Sequence, residues 1–374
     1  MRCFVQPGDG IQPLVSAINS AKKSVEIVIF RFDRYEIEKA LAAAVSRGVH
    51  VHALIAFTNR GGEIHLRELE MRLLAAGVTV SRTDSDLVRY HGKLMIVDRR
   101  QIFLLAFNFT WLDTERSRSF GLVTSNRKHV KEAVKLFEAD SQRLPYEPGS
   151  GTFLVSPLNA RKQLLAFIAG AKHELCIYDP EISDDQMLRA LESRVKAGVK
   201  VLIIGRVSGK RTAVEARRMP RMRLHTRSII RDGKQAFVGS QSLRALELDA
   251  RREVGIVFRD PEVVGRLAAV FRSDWEAPSV EDEAAPDAEP LKEPKPPAVK
   301  VAKKVARALV KDLGPVTPVV EMTVKQVAGD DVRVDLKAAE IEATVKEAVK
   351  EAVEEAVRAV VGGVVEARSS PDRD

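Results

Sequence analysis

The chain repeats itself. Leu14, Ile18, Ala21, Lys22, Val25 and Ile27 recur, identically or conservatively, as Leu164, Ile168, Ala171, Lys172, Leu175 and Ile177, at a constant offset of 150 residues. Ala40-Leu41 returns as Ala190-Leu191, and Arg47-Gly48-Val49-His50-Val51 as Ala197-Gly198-Val199-Lys200-Val201. A register held over about forty positions means that one structural unit is built twice. Any fold proposed for residues 1–275 has to place two copies of it.

Each copy has the same pattern. An amphipathic helix (14–21; 164–171) leads into an apolar strand (25–30; 175–178). A second helix (37–46; 185–196) ends near Gly48 or Gly198, where a left-handed cap favours glycine, and a buried strand follows (49–56; 199–204). Helices alternating with apolar strands predict an α/β fold with a mixed, largely parallel sheet. Beyond this point the first copy carries about 16 extra residues, including a strand predicted at 78–82 and a loop at 84–90, because equivalent positions are then separated by 134.

Just past these elements each copy holds a polar motif. The first reads His91-Gly92-Lys93-Leu94-Met95-Ile96-Val97-Asp98, then an apolar strand over 102–109 with Asn108 near its end. The second reads His225-Thr226-Arg227-Ser228-Ile229-Ile230-Arg231-Asp232, then Ala236-Phe237-Val238-Gly239-Ser240-Gln241-Ser242. Alternation along a strand puts His91 and Lys93 on one face, and His225 and Arg227 likewise. These residue types suit chemistry on a phosphodiester. One histidine can attack phosphorus and split a hard displacement into two easier ones. A second can protonate the leaving alkoxide and then activate water. Lys93 and Arg227 would clamp the non-bridging oxygens. Asp98 and Asp232 would orient the imidazoles. No metal or other cofactor is required, and no Cys/His spacing suggests a metal site. Phe103, Phe107, Phe109 and Trp111 share the opposite parity from Asn108 and are expected in the core.

The paired motifs resemble the His-x-Lys-x4-Asp-x6-Gly-Ser-x-Asn signature of the phospholipase D superfamily, over residues 1 to about 275. The resemblance implies two pseudo-symmetric α/β lobes, 1–148 and 149–276, with mixed sheets flanked by helices and both motifs meeting at their interface. It also implies a phosphohistidine intermediate. Asn108, Ser240, Ser242 and Glu253 are then phosphate-binding or supporting residues. The halves depart from the signature differently. Leu105-Ala106 replace Gly-Ser in the first, Arg227 and Ser242 replace Lys and Asn in the second, and Ser119 stands where an acid matching Glu253 is expected. The expectation is a working site with unequal halves.

Charge narrows the partners. Residues 1–275 carry a net charge of +14 and the remainder −6, within a total of +8. Ten basic side chains fall in 206–234, leading into the second motif. A basic body fits polyanions, either phospholipid headgroups or nucleic acid. Aromatics are scarce near this cluster, so base stacking is not signalled. Cys3 and Cys176 sit in apolar runs and are expected to be buried free thiols. The N-terminal residues lack an apolar signal-peptide core, and the expectation is a soluble cytoplasmic protein with possible contact at a membrane surface. From about residue 277 a Pro/Glu/Asp/Ala-rich linker is expected, then a helix at 300–313 with a basic face and one at 337–361 with a narrow Val/Ile stripe suited to self-association. Three functions remain open: phospholipid hydrolysis or phosphatidyl transfer, nucleic-acid cleavage by the same chemistry, and a non-enzymatic scaffold.

Overall fold

The computed structural model describes residues 1–57, 63–208, 214–219 and 222–277. The tail helices, the linker, and Lys210, Arg211 and Arg221 of the basic cluster lie outside the described residues. The first copy runs β1 (Arg2–Gln6), α1 (Gln12–Ser20), β2 (Ser24–Ile29), α2 (Tyr35–Ser46), β3 (His50–Ile55), α3 (Glu63–Ala75), β4 (Thr79–Arg82), β5 (Arg89–Tyr90), β6 (Leu94–Val97), β7 (Gln101–Leu105), α4 (Trp111–Glu115), β8 (Ser117–Thr124) and α5 (Arg127–Gln142). The second runs β9 (Phe153–Val155), α6 (Ala160–Ala169), β10 (Glu174–Ile182), α7 (Asp185–Lys196), β11 (Lys200–Val207), β12 (Glu215–Arg217), β13 (Arg223–Leu224), β14 (Arg227–Arg231), β15 (Gln235–Gly239), α8 (Ala245–Asp249), β16 (Arg251–Arg252), β17 (Val254–Phe258) and α9 (Pro261–Glu276).

The two sheets have one topology. Strand order is β1-β8-β7-β6-β2-β3-β4 in the first and β9-β17-β15-β14-β10-β11-β12 in the second. Register repeats as well: Val25 faces Val97 as Leu175 faces Arg231, and Ile102 faces Thr124 as Ala236 faces Phe258. Both sheets are mixed, but they are not largely parallel. Along these paths β2-β3-β4 and β10-β11-β12 pair in parallel and every other neighbouring pair is antiparallel, and β13 joins the first sheet parallel to β8. Most of the first copy's extra length is α3, a helix the sequence reading did not single out, which buries Leu66, Leu69 and Leu73.

Local chemistry explains the matching ends. Gly48 and Gly198 take φ of +83° and +81°. The amides that follow reach back five residues, Val49 to Ala44 and Val199 to Arg194, closing each helix identically. The central strands are covered on both faces. Val25, Ile27, Met95 and Phe103 pack with Leu14, Ile18, Ile37 and Leu41 of α1 and α2. Leu94, Ile96, Leu104 and Leu122 instead join Phe153, Tyr178, Val238 and Ile256 of the second sheet, with Leu136 of α5 and Leu267 of α9. One core therefore belongs to both halves. Cys3 and Cys176 are buried free thiols within it. Phe103, Phe107 and Phe109 are core residues, whereas Trp111 is half exposed, because β7 ends at Leu105 and Thr110 caps α4 immediately before it.

Asp98 and Asp232 do not orient the histidines. Each sits in a tight hairpin turn, with φ of +52° and +53° followed by Arg99 and Gly233 at +50° and +60°. Asp98 accepts the backbone N–H groups of Lys22, Lys23 and Ser24, and Asp232 those of Lys172, His173 and Glu174. Those turns lie beyond the far ends of β6 and β14 from the histidines, a strand's length away. Burial pushes both carboxyls up, but the backbone donors outweigh it and hold both below the usual aspartate range. Their stabilisation is thus complete above the unfolded aspartate range and is lost as pH falls through the lower folded values. Asp98→Ala should cost about 1–2 kcal/mol, since the turn is half exposed, and should erode the acid limb of a melting-temperature profile. A melting curve unchanged from neutral to acid pH would refute this anchoring role.

Candidate active site

The motif histidines lie outside regular strand, in the short links joining β5 to β6 and β13 to β14. The sequence reading placed them inside the strands. The reason for the break is that each link is bonded to the opposite half. β5 pairs in parallel with β16, Tyr90 opposite Arg252, and β13 pairs with β8, Leu224 opposite Arg118. The His91 amide donates to the Arg252 carbonyl (2.8 Å) and the His225 amide to the Arg118 carbonyl (3.1 Å). These four positions obey the 134-residue offset, so the exchange is itself pseudo-symmetric.

The cations are seated alike. Lys93 Nζ donates to the His91 carbonyl (2.6 Å), and Arg227 Nη1 to the His225 carbonyl (2.7 Å). Arg227 is longer than lysine, and its Nε donates to Ser242 Oγ (3.1 Å). Serine is the smaller residue at the position of Asn108, so the pair Arg227–Ser242 occupies the place of Lys93–Asn108. Both cations are buried. The Phe30 ring lies edge-on to the His91 ring (4.5 Å between centroids), with Lys93 Nζ 5.3 Å from its centre.

The acids break the symmetry. Glu253, in the second half, places Oε2 3.0 Å from His91 Nδ1 in the first. The Ser240 hydroxyl is tied to the backbone beside it, accepting from the Val254 amide (3.1 Å). At the equivalent places near His225 stand Ser119 and Ala106. Ser119 Oγ and His225 Nδ1 are buried without a hydrogen-bond partner among the described residues. The ladder nevertheless persists, since the Ala106 amide donates to Phe120 (2.9 Å) as Ser240 does to Val254 (3.0 Å). What the first half lacks is the acid and the hydroxyl beside it, not the backbone geometry.

Two carboxylates that the sequence reading missed complete the cluster. Asp113 Oδ2 accepts from the Asn108 amide (2.8 Å) and Nδ2 (2.7 Å), and lies 3.6 Å from His225 Nε2; its other oxygen pairs with Arg223. Glu247 accepts from the Ser242 amide (2.7 Å). Both sit five residues beyond the asparagine position and 134 apart, a signal present in the repeat. Asn108 therefore acts on Asp113, and its Oδ1 is buried and unpartnered. Among the described residues no group of three His, Cys, Asp or Glu side chains is placed to hold a metal ion, and no helix is long and apolar enough to cross a membrane.

The charges act across the interface. Burial, then Lys93, Arg251, Arg227 and Arg89, hold His91 well below its ordinary value. Burial also depresses His225, opposed by Asp113 and reinforced by Arg223, Arg227 and Lys93. Lys93 is lowered by burial, Glu253 opposing. Burial and the nearby Glu247 raise Glu253 to about 7, against Lys93 and Arg251. Burial would raise Asp113, but His225 and Arg223 outweigh it and hold it below the carboxylate range. The result is a neutral, oriented imidazole at His91 and a second imidazole beside a carboxylate.

The family described as "Cardiolipin synthase, PLD-like domain" matches residues 14–141 and 164–275, stretches that begin 150 residues apart and end 134 apart. A mitochondrial cardiolipin hydrolase of Canis lupus familiaris is 27% identical over 141 residues, covering 37% of this chain and 53% of the relative. A polyphosphate kinase of Prosthecochloris aestuarii is 26% identical over 305 residues, covering 70% of this chain and 41% of the relative. The crystal structure of polyphosphate kinase from Porphyromonas gingivalis superposes with a TM-score of 0.62 at 16% identity, covering 72% of this chain and 46% of that one, which is a likeness of fold. The chain thus spans about half the length of the curated relatives it matches.

The Glu253–His91 contact makes a spectroscopic prediction. With ¹⁵N-labelled histidine above pH 7, His91 should carry its proton on Nδ1 as donor to the carboxylate. As pH falls through about 7, Glu253 takes a proton and donates it to Nδ1, moving the imidazole proton to Nε2. His225 should not follow this change. A His91 tautomer that stays constant through that interval would mean Glu253 does not titrate there.

Proposed function

The chain belongs to the phospholipase D superfamily, and from that membership we propose a phosphodiesterase in which His91 attacks phosphorus and His225 serves the leaving group. The observation that carries the assignment is the Glu253–His91 contact, for which His225 has no counterpart. With Nδ1–H donated to Glu253, the Nε2 lone pair is free to attack. A P–N bond forms as the P–O bond to the leaving alcohol breaks, and protonated His225 gives its proton to the alkoxide. Neutral His225 then takes a proton from water, whose oxygen attacks phosphorus, and His91 departs as neutral imidazole. Lys93 and Arg227 offset the charge on the non-bridging oxygens. His225 is depressed in the empty site, but an entering anionic diester favours its charged form, as Asp113 already does.

A phospholipid diester is the substrate class we favour. The matching family is described by cardiolipin synthase, and cardiolipin hydrolases are among the aligned relatives. A second reading, phosphoryl transfer along a phosphoanhydride chain, has its own support in the alignment with a polyphosphate kinase over 70% of this chain. Both readings use the same histidines.

The full chain should be offered labelled cardiolipin vesicles, labelled polyphosphate with ADP, and single-stranded DNA. On the favoured substrate His91→Ala should abolish turnover and acid-labile phosphoprotein. His225→Ala should slow turnover by about 10²–10⁴-fold, and less when the leaving group is p-nitrophenolate, which needs no proton. Rate should rise with pH through about 7 as Glu253 ionises, and Glu253→Gln should remove that step. Phosphate trapped on His225 rather than His91 would reverse the two roles. Turnover of polyphosphate alone would select the second reading, and cleavage of DNA alone would replace both.

A further inference from the structure

The hairpin turn between β6 and β7 and the first turns of α5 border an open pocket of about 640 Å³. Arg99, Arg100, Arg127 and Lys131 line it, with Ser125 and an aliphatic wall of Val130 and Val134, and no carboxylate. The turn lies a strand's length from the motif histidines, so this pocket is separate from the candidate active site. Three carboxylates stand near its cations. Glu26 and Glu138 both accept from Arg99, at 2.8 and 2.6 Å. Asp98 acts on Arg100 but is already held by three backbone amides. The side chains of Arg100, Arg127 and Lys131 are exposed and make no hydrogen bond or ion pair among the described residues.

The second copy builds the same turn and helix with less charge. Counting forward 134 residues, Arg99 becomes Gly233, Arg127 becomes Pro261 and Lys131 becomes Gly265. Arg100 stays cationic as Lys234, and Ser125 becomes Arg259. These positions thus hold two cations in the second copy and four in the first, so the fold does not require the four. Arg99 and Gly233 take φ of +50° and +60°, and the first copy keeps an arginine in a conformation that favours glycine. Its guanidinium joins Glu26 of β2 to Glu138 of α5, which fixes the turn against the helix and gives the pocket a set shape.

We propose that this pocket binds a small molecule carrying several phosphate groups, at a site that does not depend on the phosphodiesterase reading. Three exposed cations around one concavity repel one another through water, and an anion of matching charge turns that repulsion into attraction. Arg100 and Arg127 offer planar forks to phosphate oxygens, Lys131 a point charge and Ser125 a hydroxyl donor. The volume falls within the range of about 300–1,000 Å³ usual for small-molecule sites. Val130 and Val134 present one wall to an organic group. Two sources share this chemistry: a bare phosphate chain, and a phosphate chain borne on a nucleoside.

Calorimetry on the full chain tests this with orthophosphate, tripolyphosphate and ATP as probes, EDTA being present throughout. Salt of about 0.15 M screens fields beyond roughly 8 Å. Tripolyphosphate or ATP should bind about tenfold or more tighter than orthophosphate, and the tighter of the two identifies the source. The double variant Arg100→Gln, Arg127→Gln should weaken that binding about tenfold or more. Lys39→Gln with Lys162→Gln removes equal charge from exposed positions on α2 and α6, and should change it by no more than about twofold. All four positions are exposed, so both double variants should keep the fold. Lys131→Arg keeps the charge and should retain binding. Equal loss in the two double variants would mean a general field and would overturn the proposal. Loss in neither would place the ligand elsewhere, the histidine end included, and would overturn it too. So would binding of duplex DNA with none of the small probes, which would mark an extended polyanion surface, or no binding at all. If the phosphodiesterase reading fails instead, turnover is absent while this binding and its dependence on Arg100 and Arg127 persist.

Discussion

Everything at the centre of this molecule depends on a reciprocal exchange of backbone hydrogen bonds. The His91 link is bonded to strand β16 of the second half, and the His225 link to strand β8 of the first. Neither link is regular structure in its own half, so neither has a defined path until the other half supplies one. The shared core of Leu104, Leu122, Val238 and Ile256 holds the sheets in the relation that this exchange needs. Burial of both histidines follows from the same arrangement, because each lies where one half closes over the other.

Burial then governs the electrostatics. A shielded region with Lys93, Arg227, Arg251, Arg89 and Arg223 around two imidazoles disfavours further positive charge. Burial and these cations together hold both imidazoles well below their ordinary value. The carboxylates divide this field unequally. Glu253 sits close to its own protonation threshold against His91, whereas Asp113 stays charged beside His225. The two imidazoles thus acquire different characters from their neighbours alone.

Much of this was legible in the sequence, for identifiable reasons. The 150-residue offset gave the elements before the motifs and the 134-residue offset the motifs themselves, and strand order and register obey both. Glycine caps at 48 and 198 were readable because only a positive φ makes glycine necessary there. Sheet direction was misread, since apolar strands look alike whether helices or hairpins join them. Asp98 and Asp232 were assigned to imidazoles because sequence proximity was taken for spatial proximity; a strand carries its two ends apart, and a turn with unpaired amides is the nearer partner. Asp113 and Glu247 were overlooked because a carboxylate on a five-residue helix has no period to announce it. Their identical spacing in the two copies was the available clue. The pairing of Glu253 with His91 crosses between halves, which no local pattern encodes.

The fusion of both halves into one chain has a consequence for how such a site can change. When two identical chains meet about a two-fold axis, every substitution appears twice, and losing an acid on one side loses it on the other. Here the copies are separately written. Ser119 and Ala106 could arise without disturbing Glu253 and Ser240, and arginines could accumulate at 244 and 251 while 110 and 117 stayed small. Two copies of one half-site in a single chain can thus carry different side chains, as positions 119 and 253 do.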